Sequence, residues 1–284
     1  MLNRSLQILA VGSAILMAVD PLLAKEKKEE PAPAPVAQTG GTADELFAQA
    51  KKFFDEKNYK AALDAYLQFQ IDYGTAPEAA VASFNALYPI AICQVQVSNF
   101  TGALEAIKAA LEKQPPNPQT KLTDAQRHDL TFWMGLCELQ EKNYPAAREA
   151  MEKFISFFPP GSEKNRNFVR LNPAAGRLSE ARTSIGTSYI LEGKYQEAAD
   201  FYAKLKPTLS PDARGRAVIF QLYALEQLGD FDGALKVVNE EYPNMSDIAQ
   251  LISFQTLTLR LGNHWLERGE FRKTIQCLQR VWTF

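Results

Sequence analysis

The sequence holds little of what enzyme chemistry needs. Three cysteines and two histidines occur in 284 residues. Cys93, Cys137 and Cys277 are odd in number and fall in the middle of apolar helical stretches, which excludes a disulfide framework. They read as small buried hydrophobes. His128 and His264 have no H-x₃₋₅-H or C-x₂-C companion, so no metal site is expected. The nucleophile motif G-x-S-x-G, the Walker A loop and the dinucleotide fingerprint are all missing. No catalytic residue and no cofactor is therefore expected, and the chain reads as a non-enzyme. An excess of one charge is also lacking. With 31 Lys and Arg against 33 Asp and Glu, the net charge of −2 excludes a dedicated nucleic-acid binder. Most carboxylates stand beside lysines at helical spacing, as in Glu105/Lys108 and Glu149/Lys153, and read as solvated faces.

Long apolar runs are scarce too. The exception is the first 24 residues, where Arg4 precedes an apolar stretch from about Leu6 to Val19 and small residues lead to Lys25. This reads as a signal peptide, residues 1–24, with cleavage near Ala24–Lys25. An uncleaved anchor is the alternative. The run falls short of the ~20 residues that span a bilayer, and Asp20-Pro21 interrupts it. No cysteine lies near the cleavage point, which argues against a lipoprotein. Residues 25–42, KEKKEEPAPAPVAQTGGT, form a charged and Pro-rich linker that favours extended, disordered chain. Residues 43–284 are left as the folded domain. Export places the protein in the periplasm or cell envelope.

What the chain does have is a recurring figure, clearest in Glu192–Tyr202. A turn leads to an aromatic, a small residue follows three positions on, and a bulky residue seven positions on. These spacings share one helix face. The aromatics are Tyr59, Phe100, Tyr144, Tyr195, Phe231 and Phe271. The small residues are Ala62, Ala103, Ala147, Ala198, Ala234 and Thr274, and the bulky ones Tyr66, Ile107, Met151, Tyr202, Val238 and Leu278. Nine positions before each aromatic stand Ala50, Ala91, Gly135, Gly186, Leu222 and Gly262, five of them small. Glycine inside a helix costs roughly 0.5–1 kcal/mol against alanine, so three glycines at one register imply a close approach there.

This figure resembles the tetratricopeptide repeat, a helix-turn-helix unit of about 34 residues. The resemblance covers about Asp44 to Phe284. It implies an all-α fold, an α-solenoid of about six TPR-like helix-turn-helix repeats in a right-handed superhelix. It also implies a concave groove lined by the first helices, where a peptide or helix lies. Carried over position by position, the groove is Phe47 and Lys51, then Leu87 and Gln94, then Phe132, Leu136 and Gln140, then Thr183 and Thr187, then Tyr223, and finally Asn263. Lys51 is the one cation among these positions, so a clamp for a C-terminal carboxylate is not expected. Trp133 and Trp265 read as packing between repeats.

The repeats are long. From aromatic to aromatic the intervals are 41, 44, 51, 36 and 40 residues. The surplus is expected in the Gly74–Ala79 turn and longer helices, in Gln114–Lys121, and in Pro159–Gly176. In the last of these, Lys164, Arg166, Arg170 and Arg177 surround Phe168, Val169 and Leu171. Long loops in compact arrays are often functional. This one reads either as a dock for an anionic partner or as a cap with Phe168 and Leu171 tucked in. No polar capping helix follows Gln279–Phe284, so either Trp282 and Phe284 fold back or the chain is a section of a longer repeat protein. The expected function is a non-catalytic scaffold of the bacterial cell envelope with protein partners, and no nucleic acid. Membrane contact would run only through an uncleaved N-terminus. The rivals are the substrate-feeding region of a longer cell-wall enzyme and a membrane-anchored adaptor.

Overall fold

A computed structural model describes residues 41–244 and 248–282. The expected signal peptide, the linker up to residue 40, and Thr283 and Phe284 lie outside the described residues. Among the described residues the secondary structure is entirely helical.

All six aromatics of the recurring figure are the first residue of a helix. The first pair is α1 (Ala43–Asp55) and α2 (Tyr59–Tyr73). A short α3 (Ala80–Asn85) leads into α4 (Leu87–Gln96), which pairs with α5 (Phe100–Glu112). Next come α6 (Asp124–Gln140) and α7 (Tyr144–Ser156). The single-turn helix α8 (Arg166–Leu171) precedes the pair α9 (Leu178–Leu191) and α10 (Tyr195–Leu205). Last are α11 (Pro211–Leu228) with α12 (Phe231–Glu241), and α13 (Ile248–Glu267) with α14 (Phe271–Trp282). The chain divides into two compact units between Lys142 and Asn143. In the first unit α2 packs on α4 and α5 on α6. In the second, α7 packs on α9, α10 on α11, and α13 on both α11 and α14.

The turns explain why the helices stop and restart where they do. Lys57, Ser98, Lys142, Gly193, Gly229 and Gly269, each two residues before a hinge aromatic, adopt positive φ between 60° and 80°. The chain reverses there with paired hydrogen bonds to the last turn of the preceding helix. Gly193 N–H donates to Ile190 O at 3.0 Å and Lys194 N–H to Tyr189 O at 2.8 Å. Lys57 to Phe54 and Asn58 to Phe53 repeat the arrangement. This left-handed closure satisfies carbonyls that the helix end leaves open. Asn58, Asn99 and Asp230 then cap the next helix by accepting from Ala61, Gly102 and Gly233 N–H. Thr42, the final residue of the expected linker, belongs to the fold. Its side chain and Glu45 form a reciprocal capping box at the start of α1.

The small-and-bulky register is the core. Ala62, Ala103, Ala147, Ala198, Ala234 and Thr274 are all buried. Tyr66, Ile107, Met151, Tyr202 and Val238 are buried beside them. Tyr202 is enclosed within α9 and α10; its hydroxyl donates to Thr183 O at 3.0 Å and lies 3.1 Å from Thr187 Oγ1. A Cβ at Gly186 would strike the Tyr202 ring. The glycine therefore makes room for an aromatic, where the sequence suggested an approach of two backbones. The last pair differs. Phe271 and Leu278, the counterparts of Tyr195 and Tyr202, are 64% and 39% exposed.

The surplus residues sit where composition placed them. Pro77–Ala79 forms a turn of 3₁₀ helix before α3. Residues 113–123 form the Pro-rich connection, and Pro159–Gly176 contains α8 between two 3₁₀ turns. Cys93, Cys137 and Cys277 are buried free thiols. Burial pushes Cys93 and Cys137 up to about 12 and Cys277 to about 11, which makes them poor nucleophiles. Trp133 and Trp265 are buried as packing residues.

Candidate interaction surface

The first-helix positions fall into accessible and sealed groups. In the first unit Phe47 is half-buried, edge-on to Tyr66 and Phe69 with ring centroids 5.8 and 5.5 Å apart. One turn on, Lys51 is exposed and pairs with Asp55 at 2.7 Å. Leu87 and Gln140 are half-buried at the start of α4 and the end of α6. Gln94 is half-buried and accepts from Asn99 Nδ2 at 2.8 Å. Phe132 and Leu136 are buried, so these two act through packing and offer no surface.

In the second unit Thr183 is half-buried, its hydroxyl donating to Ser179 O and Glu180 O. Thr187 is buried against Tyr202 and likewise serves the core. Tyr223 is half-buried and edge-on to Tyr195. Burial, then the neighbouring Tyr195 and Glu226, raise its phenol above the ordinary value despite Arg260. Asn263 is exposed. The accessible set is thus Phe47, Lys51, Leu87, Gln94, Gln140, Thr183, Tyr223 and Asn263: aromatic and neutral polar groups with one cation.

A cavity of about 10 Å³ lies between α11, α12 and α13, lined by residues including Leu222, Glu226, Phe231 and Leu261. It has room for about one water and no more. Among the described residues no cluster of three or more His, Cys, Asp or Glu could hold a metal ion. His264 stacks on Phe231, with ring centroids 3.3 Å apart, and burial lowers its basicity.

Ion pairs tie successive helices at the repeat register. Tyr88 donates to Asp129 at 2.9 Å. Lys108, read from sequence as a partner for Glu105 on a solvated face, instead reaches the buried Glu138 of α6 at 3.4 Å. Arg148 Nη2 meets Glu192 at 2.7 Å, Nη1 donates to Ser188 Oγ at 3.1 Å, and the guanidinium lies over the Tyr189 ring. Glu241 is enclosed between Lys206 and Arg214, each at 3.0 Å. Burial works to raise its pKa, but the two cations outweigh burial and hold the carboxyl below the usual range.

The long insertion is anchored at its base and open at its tip. Glu163 pairs with Arg182 of α9, Ser162 is buried, and Asn165 caps α8 by accepting from Asn167 and Phe168 N–H at 3.1 Å. Phe168 and Val169 are half-buried, and Arg177 is half-buried at the foot of α9. Lys164, Arg166 and Arg170 are exposed, without an ion-pair partner among the described residues. Leu171 is 74% exposed and is not tucked in as a cap would require.

Tandem helix-turn-helix pairs with a small-and-bulky interlock define an all-α fold of the α-solenoid class. The family described as tetratricopeptide repeat matches residues 88–162, and the helix pairs on either side follow the same helix-turn-helix plan. The comparison with curated proteins gave no match. Among solved structures, the apo form of RapI is 10% identical, with 83% of this chain and 72% of that one covered at a TM-score of 0.49. BtubC from P. vanneervenii is 12% identical over 85% and 90%, at 0.47. A tetratricopeptide repeat protein from Parabacteroides merdae is 12% identical over 85% and 93%, at 0.39.

Proposed function

We propose that this protein is a non-catalytic scaffold of the cell envelope, in which each unit holds a helix or extended segment of a partner protein on its own first helices. The observation that carries the reading is the accessible first-helix set, in which Phe47 and Tyr223 offer aromatic edges and Gln94, Thr183 and Asn263 offer hydrogen bonds. Such a mixture suits pockets for apolar side chains with a few directional bonds. A pre-folded surface also avoids ordering entropy on its own side. The envelope part of the proposal rests on the N-terminal sequence alone. Among the described residues no helix is long and apolar enough to cross a membrane.

The test places a photocrosslinking amino acid at Lys51 or at Asn263 of the exported chain in its native envelope, followed by mass spectrometry. A protein captured reproducibly at a position, and lost when the aromatic of the same unit is changed to Ala, Phe47 for Lys51 or Tyr223 for Asn263, is the expected result. Absence of any protein adduct from both positions would refute the groove. N-terminal sequencing of the mature protein separates a cleaved signal, starting at Lys25, from a retained anchor.

A second contact is supported by the insertion, where three unpaired cations flank the exposed Leu171. It suits an acidic protein surface. Arg166→Glu with Arg170→Glu is expected to weaken partner capture while leaving Tm unchanged. Unchanged capture would leave the insertion without a binding role.

A further inference from the structure

The last helix pair turns outward the register that the other pairs keep inside. On α2 the positions zero, four and seven residues from the aromatic are Tyr59, Leu63 and Tyr66; on α12 they are Phe231, Leu235 and Val238. In both sets the second and third are buried and the aromatic half-buried. On α14 the same positions are Phe271, Ile275 and Leu278, and all three are exposed. Helix α13 adds a parallel stripe, with Ile252, Leu259 and Leu266 exposed at seven-residue intervals.

Both stripes face away from the preceding pair. Lys273 binds Asp232 at 2.7 Å, and Arg280 bonds Asn239 and lies over Tyr242, so this side of α14 faces α12. At about 100° per residue, Phe271, Ile275 and Leu278 lie roughly half a turn from it. On α13, the buried Phe254, Thr258, Leu261 and Trp265 occupy the opposite side from the exposed stripe.

From this geometry we infer that the α13–α14 face is the interface of a two-fold homodimer, its occupant the same face of a second copy of this chain. Six large apolar side chains, each left about half exposed, present on the order of 500 Å²; doubled by two-fold pairing, that reaches the ~1,000 Å² of a specific contact. A two-fold interface matches a patch with itself, so an apolar patch of this extent meets an equal one at equal concentration. Charge permits the approach. Lys273 and Arg280 are already engaged with α12. The exposed charges at the α13–α14 turn are Glu267, Arg268, Glu270 and Arg272, two of each sign, so the two rims carry no net repulsion.

Sedimentation of the mature full chain from about 1 to about 100 µM should show a reversible monomer–dimer equilibrium. The double variant Leu259→Glu, Ile275→Glu should stay monomeric over that range. Both side chains are exposed, so its Tm when dilute should match the wild type. Cysteine replacement gives a second reading on a quiet background, because the three native thiols are buried. Ile275→Cys mixed with Leu259→Cys should yield an interchain disulfide on mild oxidation, and Leu171→Cys should not. A wild-type chain that stays monomeric at about 100 µM would overturn the inference. So would a dimer that persists in the double variant. A monomer whose α13–α14 face is covered instead by another protein or by a further segment of chain would overturn it too. The scaffold reading is judged separately from the Lys51 crosslink, because Asn263 lies between Leu259 and Leu266 on the side of α13 assigned to the second copy.

Discussion

At the scale of single residues, the structure sets two effects against each other at Gly186. Alanine there would gain roughly 0.5–1 kcal/mol of helix propensity. It would also drive a methyl group into the Tyr202 ring, which hydrogen bonds to Thr183 and the contact with Thr187 hold in place. Overpacking of this kind costs ~1–3 kcal/mol, so Gly186→Ala should lower Tm. A rise in Tm would show that the ring is free to move. Glu180 gives a second case. Burial pushes its carboxyl up to about 7, against the opposing pull of Arg177 and Arg216, and Oε1 accepts no hydrogen bond. A carboxyl with a folded pKa above its unfolded value favours the folded state at low pH. That advantage is lost as pH rises from about 4.5 towards about 7. Glu180→Gln should therefore stabilise the protein at pH 8 by ~1–3 kcal/mol, with the gap closing near pH 4.5. Parallel melting curves of the two proteins across pH check this, and a constant gap would assign the effect to shape.

At the scale of the helix pair, the turn is the conserved device within the chain. Six positions need positive φ, and glycine fills three of them. An L-residue pays roughly 1 kcal/mol for that conformation. Lys57→Gly, Ser98→Gly and Lys142→Gly should each stabilise by up to ~1 kcal/mol, the gain being trimmed by glycine's freedom in the unfolded chain. Gly193→Ala is the reciprocal measurement. A Cβ there meets nothing within 4 Å, so its expected loss of ~1 kcal/mol is backbone strain alone. Chemical denaturation of the four variants tests the set, and a stable Gly193→Ala would remove the strain argument. The helix starts were legible in the sequence because ring, small residue and turn recur at fixed spacing. The left-handed turns were legible only where glycine marked them, as at Gly193. Lys57, Ser98 and Lys142 carry no such mark, since the backbone is forced into that region by the helices on either side. The cap at Thr42 has the Thr-x-x-Glu signature, yet its neighbours Gly40-Gly41 read as linker.

At the scale of the whole molecule, the sequence revealed the order of pairs and which residues interlock, because those depend on neighbours along the chain. It could not sort the first-helix positions into open and closed. Phe132, Leu136 and Thr187 occupy the same register as Phe47, Tyr223 and Asn263, and what seals them is packing with other helices. The same neighbour-by-neighbour construction governs how damage spreads. In a stack of repeats, stability is close to a sum of unit and nearest-neighbour contributions. Ala198 is fully buried at the centre of the α9–α10 pair, and phenylalanine there should destabilise by ~1–3 kcal/mol. If the repeats respond as neighbours, hydrogen exchange in Ala198→Phe should accelerate in α9, α10 and α11, which pack on one another. Helices α1 and α2 belong to the other compact unit and should keep wild-type protection. Uniform loss across all helices would instead mean that the two units unfold as one, and the repeat-by-repeat account would fail with it.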